Sequence, residues 1–334
     1  MMRLRTNLHI DPWLNLTQTP AFLRLVQPLE RSWWRPIATA ALVAVGGTVL
    51  AVIGYLICGL INLWLIEVAM LHQPFRWPAN LFHNAEISRV SCADCLMGGV
   101  TETVMLGGMS AGFLVAVLTC ASLVNHRSPR TWATAAPRFR WRLFLAGLVL
   151  FAVLLGVTTA VPEALRGWPD RPPFWKADEA VSIRLIYLIV TLLVFPMEAA
   201  FEEVLCRGWL MQTTAAFTRN LPVILVFNSL IFSALHFDSD VGRNLSRAAL
   251  GVALSYGALR LGGLEFGMGV HAANNLVILL LAQTLPQAEK LAPSTALGVA
   301  ENVAVSAGAI ALIELAARWA PLRRWAGVEA APAA

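Results

Sequence analysis

Ionisable and amide side chains occur at helical spacing inside runs of sequence that are otherwise almost purely apolar. They form three groups, which are Glu198, Glu202, Glu203 and Arg207; His236, with Phe232 one helical turn before it; and His271 and Asn275. A carboxylate can take a proton from water, an imidazole can share that proton, and an amide can donate a hydrogen bond to a developing oxyanion. A charged side chain costs about 2.5 to 3.5 kcal/mol at the centre of a membrane helix, so such residues face a protein interior or a wet cavity and are functional by default.

The helices that carry these residues are predicted to belong to a multi-pass membrane protein. The 334 residues are 57% hydrophobic and 13% charged, and the mean hydropathy is +0.65, which is too apolar for a soluble domain of this length. Apolar runs of about 20 residues, long enough to cross a bilayer, recur at 37–66, 103–124, 143–162, 185–203, 221–236, 245–261, 266–285 and 291–315. We expect an all-α polytopic helix bundle of about eight transmembrane helices around an interior polar cavity.

The distribution of arginines indicates the orientation in the membrane. With eight crossings and an inside N-terminus, the inner loops hold most of the basic residues, including Arg127, Arg130, Arg138, Arg140 and Arg142. This asymmetry favours a cell-membrane protein with both termini in the cytoplasm. The net charge of +5 then reflects arginines near anionic lipid, so the lipid bilayer is an expected partner and nucleic acid is not.

We divide the chain into three parts. Residues 1–35 carry arginines and prolines without the features of a cleavable signal peptide, and we expect a cytoplasmic or interfacial segment. Residues 36–319 form the membrane domain, whose motif-bearing core is 185–285, and residues 320–334 form a cytoplasmic tail. The outer loops at 71–94 and 166–180 contain tryptophans and prolines, which suits the headgroup region.

Glycines and cysteines have mainly structural interpretations. Glycines concentrate in the first two helices, where small residues let helices pack closely; they are Gly46, Gly47, Gly54, Gly59, Gly98, Gly99, Gly107, Gly108 and Gly112. Cys58, Cys120 and Cys206 lie in apolar runs and are expected to be packing residues. Cys92 and Cys95 form a lone pair, for which we expect a local disulfide or no role, because a four-cysteine zinc site needs two more ligands nearby.

The spacing of the glutamates along the helix predicts different roles for them. Glu203 and Arg207 are four residues apart and can neutralise one another in a low dielectric. Glu202 has no cation of its own on this helix, so it is the candidate general base. If the helix continues past Arg207 to Phe217, Glu202 and His236 lie at a similar depth, roughly 25 Å and roughly 23 Å from the inner end at 1.5 Å per residue. Glu198 receives no role.

Three such groups on three apolar helices, in this order, resemble the CAAX protease and bacteriocin-processing family of intramembrane glutamic proteases, also called the CPBP or Abi family, with its Rce1-like members. The family motifs Glu-Glu-x-x-x-Arg, Phe-x-x-x-His and His-x-x-x-Asn are present as Glu202-Glu203 with Arg207, Phe232 with His236, and His271 with Asn275. The resemblance covers roughly 185–285.

The resemblance implies an eight-helix fold and a site that works without a metal or cofactor. Glu202 would be the base that activates water for attack on a peptide bond, and His236 would be its partner. His271 and Asn275 would form the oxyanion hole, while Glu203 and Arg207 would support the site. The resemblance implies a membrane-anchored protein or peptide as the substrate.

Two other classes of function remain open at the level of sequence. A zinc-dependent membrane protease could use the same carboxylate and imidazoles as ligands, although the sequence lacks His-Glu-x-x-His. A non-enzymatic immunity or transport protein could use buried Glu and His to bind a toxin or relay protons, although no inverted repeat is evident. Lysine occurs only at Lys176 and Lys290 beside abundant arginine and alanine, which favours a bacterial source and a sorting-signal tail or peptide precursor as substrate.

Overall fold

The fold is a bundle of α-helices. A computed structural model describes residues 18–64, 96–165, 173–175, 180–281 and 293–328. Within these ranges there is no β-strand, and eight long helical segments lie where the sequence predicts membrane helices. The prediction of an all-α polytopic bundle is therefore confirmed. The Cys92–Cys95 pair and nearly all of the loops at 71–94 and 166–180 lie outside the described residues.

The helices follow one another along the chain with two interruptions of π-helical geometry. The first three helices are α1 at Trp34–Trp64, α2 at Leu96–Asn125 and α3 at Trp141–Leu155. A π-helical turn at Gly156–Ala160 joins α3 to the short helix α4 at Val161–Leu165. The next helix, α5 at Val181–Glu203, passes through a π-helical segment at Val204–Leu210 into α6 at Met211–Phe217. The remaining helices are α7 at Leu221–Ala234, α8 at Val241–Leu261, α9 at Glu265–Leu281, α10 at Ala296–Arg318 and α11 at Ala320–Trp325.

Length and apolar composition make this a multi-pass membrane protein. Among the described residues, five helical stretches are long and apolar enough to cross a membrane, namely Trp34–Asn62, Gly98–Asn125, Trp141–Thr159, Val181–Phe217 and Ala296–Arg318. Two shorter apolar helices, α7 and α9, complete the bundle beside α8. Many large apolar side chains point outward, such as Val45 at 69%, Leu193 at 69% and Leu230 at 55% exposure. Lipid is the solvent that covers such a surface favourably.

Capping residues set the tight turns that join the helices carrying the candidate residues. The side chain of Asn220 accepts a hydrogen bond from the backbone of Val223 at 3.2 Å and begins α7. Asp240 does the same for α8, through the backbone of Arg243 at 2.8 Å. Gly262, with φ of 71°, ends α8 in the left-handed conformation that glycine adopts without steric cost. These caps place α7, α8 and α9 next to one another with few connecting residues.

Glycine allows α1 and α2 to pack backbone against backbone. A Cβ atom added to Gly108 would collide with the carbonyl oxygen of Gly54, and one added to Gly112 would collide with the carbonyl carbon of Leu50. Neither position has room for a side chain, because the obstacle is the backbone of the neighbouring helix. The expectation that the glycines of these helices serve close packing is met at these sites.

We expect Gly108→Ala to destabilise the protein by about 1 to 3 kcal/mol, because an added methyl group must push α1 away from α2. The measurement is the thermal unfolding midpoint in detergent. The matched control is Gly46→Ala on α1, since a Cβ added there meets nothing within 4 Å. Equal midpoints for the two variants would show that the helices separate without cost and that the glycine contact is incidental.

Candidate active site

One continuous helical stretch, Val181–Phe217, carries all three glutamates and Arg207. The helix runs through Pro196, and its π-helical segment begins directly after Glu203. A π-helical turn inserts one residue into the α-helical register and so rotates the side chains that follow. The helix continues past Arg207, which is the condition under which the sequence places Glu202 and His236 at a similar depth.

Glu202 faces two imidazole rings. Its Oε2 atom lies 3.7 Å from Nε2 of His271 and 4.0 Å from Nε2 of His236. These separations exceed a direct hydrogen bond but suit a water molecule that bonds both partners. The Glu202 and His236 side chains keep 23% and 29% exposure, while His271 keeps 5%. Glu202 Oε2 is itself buried and has no hydrogen-bond partner within the described part of the chain, so this oxygen has an unused capacity to accept a hydrogen bond.

Both imidazole rings are oriented by a hydrogen bond at Nδ1. Nδ1 of His236 lies 2.9 Å from the carbonyl oxygen of Phe232, and Nδ1 of His271 lies 2.9 Å from Oε1 of Glu203. A carbonyl oxygen and a carboxylate only accept, so each Nδ1 carries the proton. Each ring therefore turns Nε2 towards Glu202.

A buried ion pair lies next to the candidate site. Arg207 Nη1 lies 2.9 Å from Oε1 of Glu203, and both side chains are almost completely buried at 0% and 1% exposure. The same Glu203 oxygen accepts the hydrogen bond from His271. Glu203 is thus more than the structural partner of Arg207 that the sequence predicts, because it also holds one of the two imidazole rings.

Phe232 connects the ion pair to both histidines. The Arg207 guanidinium lies 4.0 Å from the centre of the Phe232 ring, a cation–π contact. The ring of Phe232 meets the rings of His236 and His271 edge-on, with centroid distances of 5.0 Å and 5.8 Å. The phenylalanine of the second motif therefore packs against a residue of each of the other two groups.

Asn275 pairs with Glu198, to which the sequence assigns no role. The Asn275 amide nitrogen donates to Oε2 of Glu198 at 2.8 Å, and its carbonyl oxygen accepts from the side chain of Asn274 at 3.2 Å. Glu198 is 9% exposed. An amide nitrogen has two hydrogens, so the contact with Glu198 leaves one N–H of Asn275 to donate to a ligand. The four-residue spacing of Glu198 and Glu202 indicates that both lie on one face of their helix, which is the signal in the sequence that Glu198 belongs to the site.

An ionic network fixes the turn that follows His236. Phe237 adopts a left-handed conformation with φ of 48° and is 90% exposed. Asp238 accepts from Arg243 Nε at 2.7 Å and from Arg247 Nη1 at 2.8 Å. The side-chain hydrogen bonds from Arg243 hold the pKa of Asp238 well below its usual range. The sequence does not predict this network, because Asp238 and Arg247 lie nine residues apart with the start of α8 between them.

The structure brings Glu202, His236 and His271 together and sets Asn275 beside them through Glu198. Two imidazoles and one carboxylate are also a donor set known for catalytic zinc. No cluster of three or more His, Cys, Asp or Glu with the spacing of a metal site occurs in the ranges that the structure describes. Both Nε2 atoms and the free Glu202 oxygen are directed into one space, which is the arrangement that a bound water or a substrate atom requires.

The motif-bearing helices are similar to known proteins. Residues 184–277 match the family described as type II CAAX prenyl endopeptidase Rce1-like. Among curated proteins, the uncharacterized protein YyaK of Bacillus subtilis (strain 168) is 24% identical over 162 residues, which are 46% of this chain and 52% of YyaK. The chain therefore spans about half the length of that curated relative. No solved structure matches the chain.

The matched stretch contains every residue of the candidate site, from Glu198 to Asn275. The three motifs that carry the resemblance therefore coincide with the region that the family comparison identifies. Residues 184–277 of this chain therefore match the Rce1-like family, as the three motifs predict.

Proposed function

We propose that this protein is an intramembrane endopeptidase that cleaves a membrane-anchored protein or peptide by attack of water. The observation that carries the proposal is the position of Glu202, whose free oxygen lies within 4.0 Å of Nε2 on both His236 and His271. A carboxylate and an imidazole on opposite sides of a water can orient it and remove its proton. The Glu202 and His236 side chains are 23% and 29% exposed, so water and a peptide can approach the site from this side.

The proposed reaction begins with Glu202 taking a proton from water while Nε2 of His236 accepts the other hydrogen bond of that water. The water oxygen attacks the carbonyl carbon of the scissile peptide bond, and negative charge develops on the carbonyl oxygen. The proton held by Glu202 then passes to the leaving nitrogen as the C–N bond breaks. The products are a carboxylic acid and an amine, and no covalent acyl-enzyme forms.

His271 and Asn275 are the proposed donors to the oxyanion. Asn275 donates through the N–H that Glu198 does not use. His271 already donates through Nδ1 to Glu203, so its Nε2 donates only when the ring carries both protons. Glu203 and Glu198 are positioning residues in this scheme, because each holds a proposed oxyanion donor without meeting the substrate.

The test is cleavage by the purified full chain in proteoliposomes that contain membrane-anchored model peptides, with fragments identified by mass spectrometry. We expect product that persists in the presence of a zinc chelator and of serine- and cysteine-directed reagents. Loss of activity with the chelator and recovery with added zinc would instead support a zinc-dependent protease. Folded protein that binds the peptides but releases no fragments would support a non-enzymatic immunity or transport protein.

We expect Asn275→Ala to lower kcat by about 100- to 1,000-fold with a small change in KM, since one oxyanion hydrogen bond is lost.

Glu198→Ala removes the partner that orients the Asn275 amide, so it should also lower kcat, but by a smaller factor than Asn275→Ala. Glu198→Gln keeps an acceptor oxygen and should restore most of that loss. Glu102→Ala, an exposed glutamate on α2, is the control. Parental kcat for Glu198→Ala would remove Glu198 from the site.

We propose that the protein lies in the cell membrane with both termini in the cytoplasm, which the arginine-rich loops favour. Reporter fusions after Arg140, directly before α3, should therefore give cytoplasmic activity. Fusions after Trp175, in the connection between α4 and α5, should give activity on the other side. The reverse pattern would overturn this orientation and leave the proposed chemistry unaffected.

A further inference from the structure

A cavity lined by arginines opens at the end of the bundle where α1 and α7 begin and α6 ends. Its volume is about 410 Å³, and its walls are residues 18–31 together with the turn between α6 and α7. Three arginines line it, and none of the lining residues that the structure describes is acidic; the arginines are Arg24, Arg31 and Arg219. The cavity shares no residue with the candidate active site.

Tertiary contacts hold the walls of this cavity in place. Phe22 and Leu23 are buried at 0% and 5% exposure and belong to the same apolar cluster as Leu221 at the start of α7. The next turn is fixed by a buried ion pair between Glu30 and Arg127, at 3.1 Å. The segment before α1 is therefore packed onto the bundle, and the cavity is a built feature of the fold.

The arginines of the cavity lack a matching negative charge. Arg24 donates through Nε to the backbone oxygen of Thr19 at 2.8 Å, which leaves its terminal nitrogens for other partners. Arg31 and Arg219 form no ion pair with the described residues, and the neighbouring Glu30 is turned away towards Arg127. Three like charges around one space repel one another unless an anion enters. The guanidinium fork fits the oxygens of phosphate especially well.

The depth of the cavity indicates the source of the phosphate. Trp33 and Trp34 are 73% and 46% exposed at the start of α1, and Phe217 is 55% exposed at the end of α6. Exposed tryptophans at the end of a membrane helix mark the headgroup region. Basic pockets at this depth are suited to anionic lipid headgroups. We propose that this cavity binds a phosphate group, supplied by the headgroup of an anionic phospholipid.

The experiment uses the purified full chain and compares its thermal unfolding midpoint in phosphatidylcholine with and without phosphatidylglycerol, and separately with inorganic phosphate. Phosphatidylglycerol should raise the midpoint of the parent and bind about 100-fold more tightly to it than to R24Q/R31Q/R219Q. The control R138Q/R142Q/R324Q removes three exposed arginines from the same end of the bundle and should bind like the parent. Both triple variants should match the parent in phosphatidylcholine alone.

Equal stabilisation of the parent and R24Q/R31Q/R219Q by phosphatidylglycerol would overturn the proposal, and so would an equal loss in the control variant. Stabilisation by inorganic phosphate with none by phosphatidylglycerol would overturn the lipid source and leave the phosphate site. If the triple variant unfolds in phosphatidylcholine, the single variants R31Q and R219Q replace it, because both side chains are exposed. None of these results depends on catalysis.

Discussion

Glu202→Gln should lower kcat by about 1,000-fold or more without lowering the thermal stability of the protein. The amide keeps the volume of the side chain but cannot take a proton from water, and removal of a general base costs about 100- to 10,000-fold. Glu202 Oε2 has no hydrogen-bond partner among the described residues, so its replacement breaks no internal bond at that oxygen. The measurements are peptide cleavage in proteoliposomes and the unfolding midpoint.

The matched control for this change is Glu102→Gln, an exposed glutamate on a membrane helix far along the chain from the motifs. Its activity should equal that of the parent. Near-parental cleavage by folded Glu202→Gln would remove Glu202 as the base and would bring the zinc and non-enzymatic alternatives forward. His236→Ala should resemble Glu202→Gln in activity if both groups hold the same water.

Arg207→Ala should lower the free energy of unfolding by about 3 to 5 kcal/mol, because it leaves the Glu203 carboxylate buried without its cation. Both side chains of this pair are at most 1% exposed, so water does not compensate the lost contact. The cation–π contact with Phe232 is lost as well. The unfolding midpoint and the yield of folded protein measure the effect, and Arg142→Ala, an exposed arginine at the start of α3, is the control.

The double variant E203L/R207M distinguishes the contribution of the ion pair to stability from the role of Glu203 in orienting His271. Removal of both charges leaves no unpaired buried ion, so this variant should be more stable than Arg207→Ala. Its activity should stay low, because His271 loses the acceptor that holds Nδ1. Parental stability of Arg207→Ala together with abolished turnover would show that Arg207 acts on the reaction itself.

The sequence determined the helices and the local pairs. Apolar runs of membrane length predict helices because the backbone has no hydrogen-bond partner in lipid other than itself, and the eight long helical segments occur where those runs lie. The spacing of Glu203 and Arg207 predicts their ion pair, since residues four apart share a face of one helix. The similar depth of Glu202 and His236 requires that the helix continue beyond Arg207, and it continues to Phe217.

The tertiary structure decided which groups meet across helices. The contact of Glu203 with His271 and that of Glu198 with Asn275 join residues far apart in the chain, and they depend on the rotation of each helix about its own axis. The π-helical segment after Glu203 changes that rotation by inserting one residue into the register. The periodicity of a sequence predicts the angles between side chains around one helix. Packing against neighbouring helices sets the direction in which that helix as a whole faces. For the same reason the sequence does not predict the arginine cavity, because Arg24 and Arg31 lie in the segment before α1 and Arg219 lies in the turn between α6 and α7.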